Sequence, residues 1–285
     1  MNLEDFTIWT YLRIEEILQE IPWFIGLRTR GQKPDLSDLE VLTIEVLGSV
    51  QGCADDKALW RYIKDHWKPW FPKLSGYKNF AKHCANLCWL KEAILERMVK
   101  DCVPVAYIAD GVPVPICHYA RASRCKSFKG DAAFGYCAAK DQKYYGFKGL
   151  AVITETGRIA AFVLTAANKD ERQALYDLPP FIKGLMIGDK GFIGRDHKAA
   201  LQERGIDLHT PQRKNMKNQE NTTFPQWMFK TRRLVETVFS KLIDQFGLLQ
   251  LKARNLWHLT NKIHRTVLAY NLALDFNGSI AFLKT

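Results

Sequence analysis

Three separate stretches each present one carboxylate in a setting typical of a metal site. They are the apolar runs 103–116 and 184–192, which carry Asp110 and Asp189, and the basic amphipathic segment 229–243, which carries Glu236. Each Asp is followed closely by a glycine, so we expect a buried strand that delivers an acid to its end and then turns. The pattern predicts two strands and a helix that bring three acids together.

Three acids of this kind suit chemistry on a phosphodiester. Hard divalent cations prefer oxygen ligands, and Mg²⁺ takes one or two carboxylates while keeping several waters. Two such ions about 3.5 to 4 Å apart activate a nucleophile and stabilise the leaving oxygen. Alternative roles remain open for each residue alone. An Asp before Gly is often a turn residue, and Glu236 with Arg232 could form a surface ion pair of about 0.2 to 0.5 kcal/mol.

Charge is distributed unevenly along the 285 residues. The first 100 residues are balanced, whereas 27 of the 41 basic and only 16 of the 30 acidic residues follow them, which places the whole +11 excess there. A basic excess favours a polyanion partner, although a merely soluble basic surface is an alternative. The basic segment 117–143 carries the first candidates for phosphate contact: Arg121, Arg124, Lys126, Lys129, Lys140 and Lys143. Further candidates are Lys148, Lys190, Arg213, Lys214, Arg232 and Arg233.

Two other classes of protein are disfavoured by the sequence. No uninterrupted apolar stretch approaches the length of a membrane span, and the first 20 residues lack a signal-peptide pattern, so we expect a cytoplasmic protein without a membrane partner. Seven cysteines without paired spacing suit a reducing compartment. Two groups of His and Cys, at residues 83–88 and 117–125, do not repeat a ligand pair at zinc-finger or zinc-ribbon spacing.

The first part of the chain, residues 1–101, is predicted to be a helical domain. Apolar spacing indicates helices near 6–21 and from about 78 to 100. Ser37 and Glu40 have the spacing of a capping box at the start of a second helix, and a third begins at Asp55 or Asp56. Helix, turn and helix fit a DNA-binding helix-turn-helix, and an ordinary helical bundle fits equally well.

The second part, residues 102–285, is predicted to be a mixed domain of strands and helices. Near Cys102 the sequence changes from helical apolar spacing to apolar runs typical of strands, and this change marks the start of the domain. Thr156 with Gly157 predicts a hairpin turn. The predicted elements after the Asp110 strand are strands at 144–155 and 158–168, a helix at 169–179, the Asp189 strand, a helix at 194–205, a strand at 206–212, a polar linker at 213–226, the Glu236 helix and a C-terminal helical segment at 247–274.

This order, with acids on the first strand, the fourth strand and a late helix, resembles the ribonuclease H-like fold of DDE transposases. The chain is similar to the bacterial insertion sequence family 982 in four stretches: DGVPVPICHYARASRC (110–125), FGYCAAKDQKYYGFK (134–148), GDKGF (188–192) and RRLVETVFSKL (232–242). The implied fold class is α/β, a ribonuclease H-like mixed sheet flanked by helices and preceded by an all-α N-terminal domain. The resemblance makes Asp110, Asp189 and Glu236 the catalytic and metal-binding triad.

The resemblance has one local departure. Related insertion-sequence transposases carry a Tyr, Arg, Glu, Lys signature around the third acid. Arg232 lies four residues before Glu236 as that pattern requires, but Phe229 takes the Tyr position and the Lys position falls on Ile243, with Lys241 nearby. Only 46 residues separate Asp189 from Glu236, too few for the large insertion domain of some relatives.

The activity implied by the resemblance is DNA transposition. Such a protein would bind the terminal inverted repeats of its element, cleave with two Mg²⁺ ions, for which Mn²⁺ substitutes, and join the 3′ end to target DNA. Its partner would be double-stranded DNA, and pairing two ends implies a homodimer or larger assembly near a prokaryotic nucleoid. The alternatives are a metal-dependent nuclease of the same fold without strand transfer, and a non-catalytic DNA-binding regulator. We also expect mutual repulsion of the three acids to raise the pKa of at least one.

Overall fold

The computed structural model describes residues 2–24, 33–53, 55–100, 102–137, 141–211 and 225–277. The helices, numbered in chain order, are α1 (Leu3–Gln19), α2 (Asp38–Val50), α3 (Asp56–His66), α4 (Tyr77–Asn86), α5 (Cys88–Lys100), α6 (Glu171–Ala174), α7 (Arg195–Glu203), α8 (Gln226–Arg232), α9 (Leu234–Asp244) and α10 (Leu256–Phe276). The strands are β1 (Tyr107–His118), β2 (Ala133–Cys137), β3 (Gln142–Thr154), β4 (Ile159–Ala166), β5 (Gly184–Gly188) and β6 (Ile206–His209). Short 3-10 helices include Tyr119–Arg124.

The described residues form two compact units. The helical unit contains those up to Cys102 and those from Ser240 onward, and the sheet unit contains those from Val103 to Phe239. The boundary between the units after Cys102 coincides with the change in sequence pattern near that residue. The C-terminal helix, which we assigned to the second domain, groups with the N-terminal helices instead. The assignment of 1–101 to DNA binding and of 102–285 to catalysis stays a prediction.

Helix α10 packs against α1, α2 and α5 within the helical unit. Its predicted apolar face, which includes Leu259 and Ile263, is buried. Charged side chains join the same helices in the interior. Lys91 on α5 pairs with Glu45 on α2, and Arg265 on α10 donates a hydrogen bond of 2.9 Å to Asp56 at the start of α3. Because buried charges are costly without partners, the first pair ties α5 to α2 and the second ties α10 to α3.

Capping residues in the sequence correctly predicted where α2 and α3 begin. Ser37 accepts a hydrogen bond from the backbone N–H of Glu40, whose carboxylate accepts from the N–H of Ser37, so the capping box is present. Asp55 caps α3. The single helix predicted for 78–100 is interrupted at Leu87 and forms α4 and α5. Helix α2 is buried along most of its length, whereas α3 buries chiefly Leu59 and Ile63 and exposes its other face.

The sheet unit is built on a six-stranded mixed sheet. Its strand order is β2-β3-β1-β5-β6, with β4 paired to β3. Strand β1 is antiparallel to β3 and parallel to β5, and β5 is parallel to β6. The predicted hairpin joins β3 to β4 through Gly157, whose φ of 86° suits a residue without Cβ. The fold class is confirmed as α/β, with a mixed sheet flanked by helices and a helical N-terminal region.

Two expectations about the first strand are wrong. Residues 103–106 precede the strand, and Val103 is fully exposed. The chain does not turn at Gly111, because β1 continues to His118 in register with β3. Beyond Ala109, β1 stays paired with β3 but is no longer paired with β5. One side of the strand is then free of ladder hydrogen bonds, so Pro113 and Pro115 are tolerated as on an edge strand. The segment 117–143, interpreted as a basic loop, also contains β2.

No helix among the described residues combines the length and apolar character needed to cross a membrane.

Candidate active site

The three predicted acids meet around one guanidinium group. Arg232 Nη1 lies 3.9 Å from Asp110 Oδ2 and 3.8 Å from Asp189 Oδ1, and Arg232 Nη2 lies 3.9 Å from Glu236 Oε1. All four residues belong to the sheet unit. Residues separated by as many as 126 positions are thus gathered at one point, at the edge of the sheet where β1 and β5 stop pairing.

The parallel pairing of β1 with β5 places the two aspartates. Ala109 is the register partner of Gly188, and the pairing ends there, so Asp110 and Asp189 are the next residues on neighbouring strands. Adjacent strands lie about 4.8 Å apart, which keeps the two carboxylates close. Ligands of open mixed sheets bind beyond the carboxyl ends of parallel strands. Asp189 directly follows β5, and Asp110 lies where β1 loses its parallel partner although β1 itself continues.

Glu236 and Arg232 are placed by the helical segment that follows the linker. The single predicted helix is interrupted at Arg233, which retains right-handed helical dihedral angles, so α8 and α9 follow each other closely. The spacing of four residues therefore still brings Arg232 and Glu236 to one face. Val235 and Val238 are buried on the other face of α9 and anchor it.

Asp110 is the least exposed of the acids, with 22% of its side chain exposed against 47% for Asp189 and 64% for Glu236. Burial is the main reason that the pKa of Asp110 is raised to about 6. A 2.8 Å hydrogen bond from the N–H of Gly111 opposes the rise in pKa, the charge of Asp189 adds to it, Arg232 opposes it and Glu171 adds to it. We expected like charges to cause the rise in pKa, whereas desolvation is the larger cause.

Glu171 is a fourth carboxylate at the site, and it was not among the acids predicted from the sequence. It begins α6, directly after the capping residue Asp170. A Cβ at Gly191 would lie 3.3 Å from Glu171 Oε2, and a Cβ at Gly111 would lie 3.5 Å from its Cδ. The only sequence feature that could have pointed to Glu171 is its position in the first turn of the helix that follows the hairpin. Acids at this position ordinarily stabilise the helix, so the feature does not distinguish a site residue.

The donor set fits a hard divalent cation in its chemistry. Carboxylate oxygens are the ligands that Mg²⁺ and Mn²⁺ prefer. Within the described ranges, however, no three His, Cys, Asp or Glu side chains lie close enough together to hold a metal ion. The guanidinium of Arg232 lies among the acids and supplies positive charge to all of them. A divalent ion and Arg232 would therefore compete for the same carboxylates.

The predicted phosphate-contacting residues fall into three groups. Exposed in the sheet unit are Arg121, Arg124, Lys126, Lys129, Lys143, Lys190 and Arg233. Two others contact acids: Arg232 as described, and Lys148, which lies 3.6 Å from Glu171 and donates a hydrogen bond to the carbonyl of Lys169. Lys140, Arg213 and Lys214 lie outside the described residues, as does most of the predicted linker. Of the two signature positions in doubt, Phe229 is exposed and Lys241 is buried.

Comparison with known proteins identifies the family of the chain. Residues 100–254, more than half of the chain, match the family model described as transposase DDE domain. The chain belongs to the transposase DDE domain family. No curated protein matches the sequence.

A solved structure shares the fold. The cryo-EM structure of a piggyBac transposase synaptic complex with hairpin DNA superimposes with a TM-score of 0.52 at 10% sequence identity, over 98% of this chain and 75% of that chain. At this identity the likeness concerns the fold alone.

Proposed function

We propose that the protein is the transposase of a bacterial insertion sequence, similar to family 982, with a ribonuclease H-like catalytic unit. It binds the terminal inverted repeats of its element, cleaves the DNA by two-metal hydrolysis and joins the freed 3′ end to target DNA. The observation that carries this proposal is the convergence of Asp110, Asp189 and Glu236 on one cation, in a chain of the DDE transposase family.

Asp110, Asp189 and Glu236 would hold two Mg²⁺ ions, or Mn²⁺ in their place. Bound there, the ions supply an activated nucleophile and charge stabilisation of the leaving oxygen. The partly buried carboxylate of Asp110 fixes one side of the site, because it is held by the N–H of Gly111 and by the strand pairing around it. Glu171 adds negative charge nearby and binds Lys148.

Arg232 has two roles in this proposal. In the metal-free protein its guanidinium compensates the mutual repulsion of the acids. If bound ions neutralised the acids, the same guanidinium would be free to bind a phosphate oxygen of the DNA, for which its planar donors are well suited. The exposed cations of segment 117–143 would follow the backbone of double-stranded DNA. Pairing two element ends requires at least a homodimer, working in the prokaryotic cytoplasm at the nucleoid.

The test is activity on a plasmid that carries the native element ends, with Mg²⁺. Asp110→Asn, Asp189→Asn and Glu236→Gln each keep the side-chain volume and remove a ligand charge. Each should abolish cleavage and joining, while binding to the ends survives. Asp131→Asn is the matched control, because Asp131 is an exposed acid of the same unit.

The outcomes separate the alternatives. Cleavage without joining would identify a nuclease, and end binding without any metal-dependent cleavage would identify a regulator. Near wild-type cleavage by Asp189→Asn, or equal damage from Asp131→Asn, would show that the site is misplaced.

A further inference from the structure

Three exposed aromatic side chains lie together at the β2 edge of the sheet unit. Tyr119, Phe134 and Tyr136 are 45%, 52% and 53% exposed. Phe134 and Tyr136 are two residues apart on β2 and therefore share a face. The ring of Phe134 lies 5.4 Å from that of Tyr119 and 5.2 Å from that of the buried Tyr145, its register partner on β3. We refer to Tyr119, Phe134 and Tyr136 as the aromatic platform.

The face of β2 opposite the platform is closely packed. Gly135, between its two strand residues, faces the opposite side, where a Cβ would lie 2.7 Å from the Cβ of Ala167 and 2.9 Å from the ring of Tyr144. Strand β2 is thus packed closely on one face, whereas on the other Phe134 and Tyr136 remain about half exposed. Single exposed aromatics are ordinary, but a contiguous group on a rigid strand marks a binding surface.

The charge around the platform selects an anionic partner. Four exposed cations, Arg121, Arg124, Lys126 and Lys129, follow Tyr119 in the chain. Lys143 is the register partner of Tyr136, and its Nζ lies 5.9 Å from the centre of the Tyr119 ring. Two exposed acids oppose them, Asp131 and Asp141, and Asp141 accepts a hydrogen bond from Tyr136. A second copy docked by the same surface would bring these cations together, which disfavours self-association.

The platform lies on the same face of the sheet as Asp110. Ala151 of β3 is the register partner of Asp110, and Tyr145 of β3 is the partner of Phe134. Ala151 and Tyr145 are six residues apart, so both face the same way, separated by roughly 20 Å along the strand. Between them Phe128 covers the ring of Phe147, and Phe128 belongs to the segment that carries the four exposed cations.

We propose that the aromatic platform binds unpaired nucleotides of a single-stranded DNA segment that passes from the acids across these cations. Aromatic faces stack on bases whatever their identity, but only where the bases are not covered by a duplex. At about 3.4 Å per nucleotide, the stacked bases lie roughly six nucleotides from the phosphate at the acids. This inference rests on the proposed function in taking DNA as the substrate, and it adds a second DNA-binding site to it.

The test uses the full chain, a chelator in place of metal, and fluorescence anisotropy with a labelled 12-nucleotide oligothymidylate. The wild type should bind it, and Phe134→Leu/Tyr136→Leu should bind about tenfold more weakly or worse, since stacking is lost while apolar bulk remains. Its salt dependence should stay unchanged, because no cation is removed. Tyr119→Leu, outside the sheet, is a second variant that leaves strand pairing intact. Trp23→Leu, an exposed aromatic of the helical unit, is the control.

A 12-base-pair duplex provides the comparison, and its affinity should change less than twofold. Failure of the wild type to bind the single strand, unchanged binding by the variants, or equal weakening for duplex and single strand would each overturn the inference. So would dissociation of a wild-type dimer in the variants, seen by ultracentrifugation, which would make the platform an interface between copies. Plasmid cleavage reports on the proposed function separately, because single-strand binding in a chelator needs no catalysis.

Discussion

Asp110→Asn should stabilise the metal-free protein at neutral pH. The pKa of Asp110 is raised to about 6 in the folded protein, whereas an aspartate in an unfolded chain titrates near 3.9. The folded state therefore binds this proton more tightly, so the stability it contributes is fully present below about pH 4 and is lost as the pH rises through about 6. Two pKa units correspond to about 3 kcal/mol, an upper limit because the side chain is partly exposed.

Urea unfolding of the wild type and Asp110→Asn, in a chelator at pH 4 and pH 7.5, measures this effect. Asparagine cannot ionise, so only the wild type loses this contribution as the pH rises. The free energy of unfolding of the variant minus that of the wild type should therefore be larger at pH 7.5 than at pH 4, by up to about 3 kcal/mol. The free energy of unfolding of Asp131→Asn should match that of the wild type at both pH values. An equal difference between Asp110→Asn and the wild type at pH 4 and pH 7.5 would refute the argument from burial.

Three further expectations concern charged side chains. Glu171→Gln and Asp189→Asn should both lower the pKa of Asp110, Asp189→Asn by more, and the pH dependence of unfolding should shift in the same direction. A rise in the pKa of Asp110 in either variant would contradict the sign of these effects, and a larger fall in Glu171→Gln would contradict their order. Arg232→Gln should increase the rise in melting temperature that Mg²⁺ produces, because no guanidinium competes for the acids, and a smaller rise would show that Arg232 helps to hold the ion. Lys91→Met should lower the free energy of unfolding by about 3 kcal/mol, because it leaves the buried Glu45 with Arg265 at 4.0 Å in place of a close partner. Lys100→Met, from an exposed pair, should cost about 1 kcal/mol or less.

The convergence of the acids could be predicted because each part has a local signal. An apolar run ending in Asp indicates a strand that carries the residue to the sheet edge, and Arg232 with Glu236 follows from helical spacing alone. The ends of β1 could not be predicted in the same way. Gly111, directly after Asp110, predicts a turn at the end of the strand, and only the pairing with β3 explains why the strand continues.

Other features depend on contacts between distant residues. Strand β2 exposes Phe134 and Tyr136, so its alternation lacks the polar outer face by which a half-buried strand is recognised, and its basic surroundings suggested a loop. Glu171 reaches the site through the fold of the hairpin before it, and nothing in its own neighbourhood distinguishes it from a surface acid at a helix start. The placement of α10 likewise follows from its partners and not from its own pattern.

The hydrogen bond between Arg265 and Asp56 joins residues 209 positions apart. At 5 to 20 residues per second, the ribosome adds Arg265 about 10 to 40 s after Asp56. During that interval α2, α3 and α5 lack the helix that covers their interior side, and the acids of α2 and α3 lack one of their cations. The helical unit can therefore be completed only after the whole sheet unit has been synthesised. A chain that terminates early, even after a complete sheet unit, would leave this interior open to proteases, so truncated copies should not accumulate.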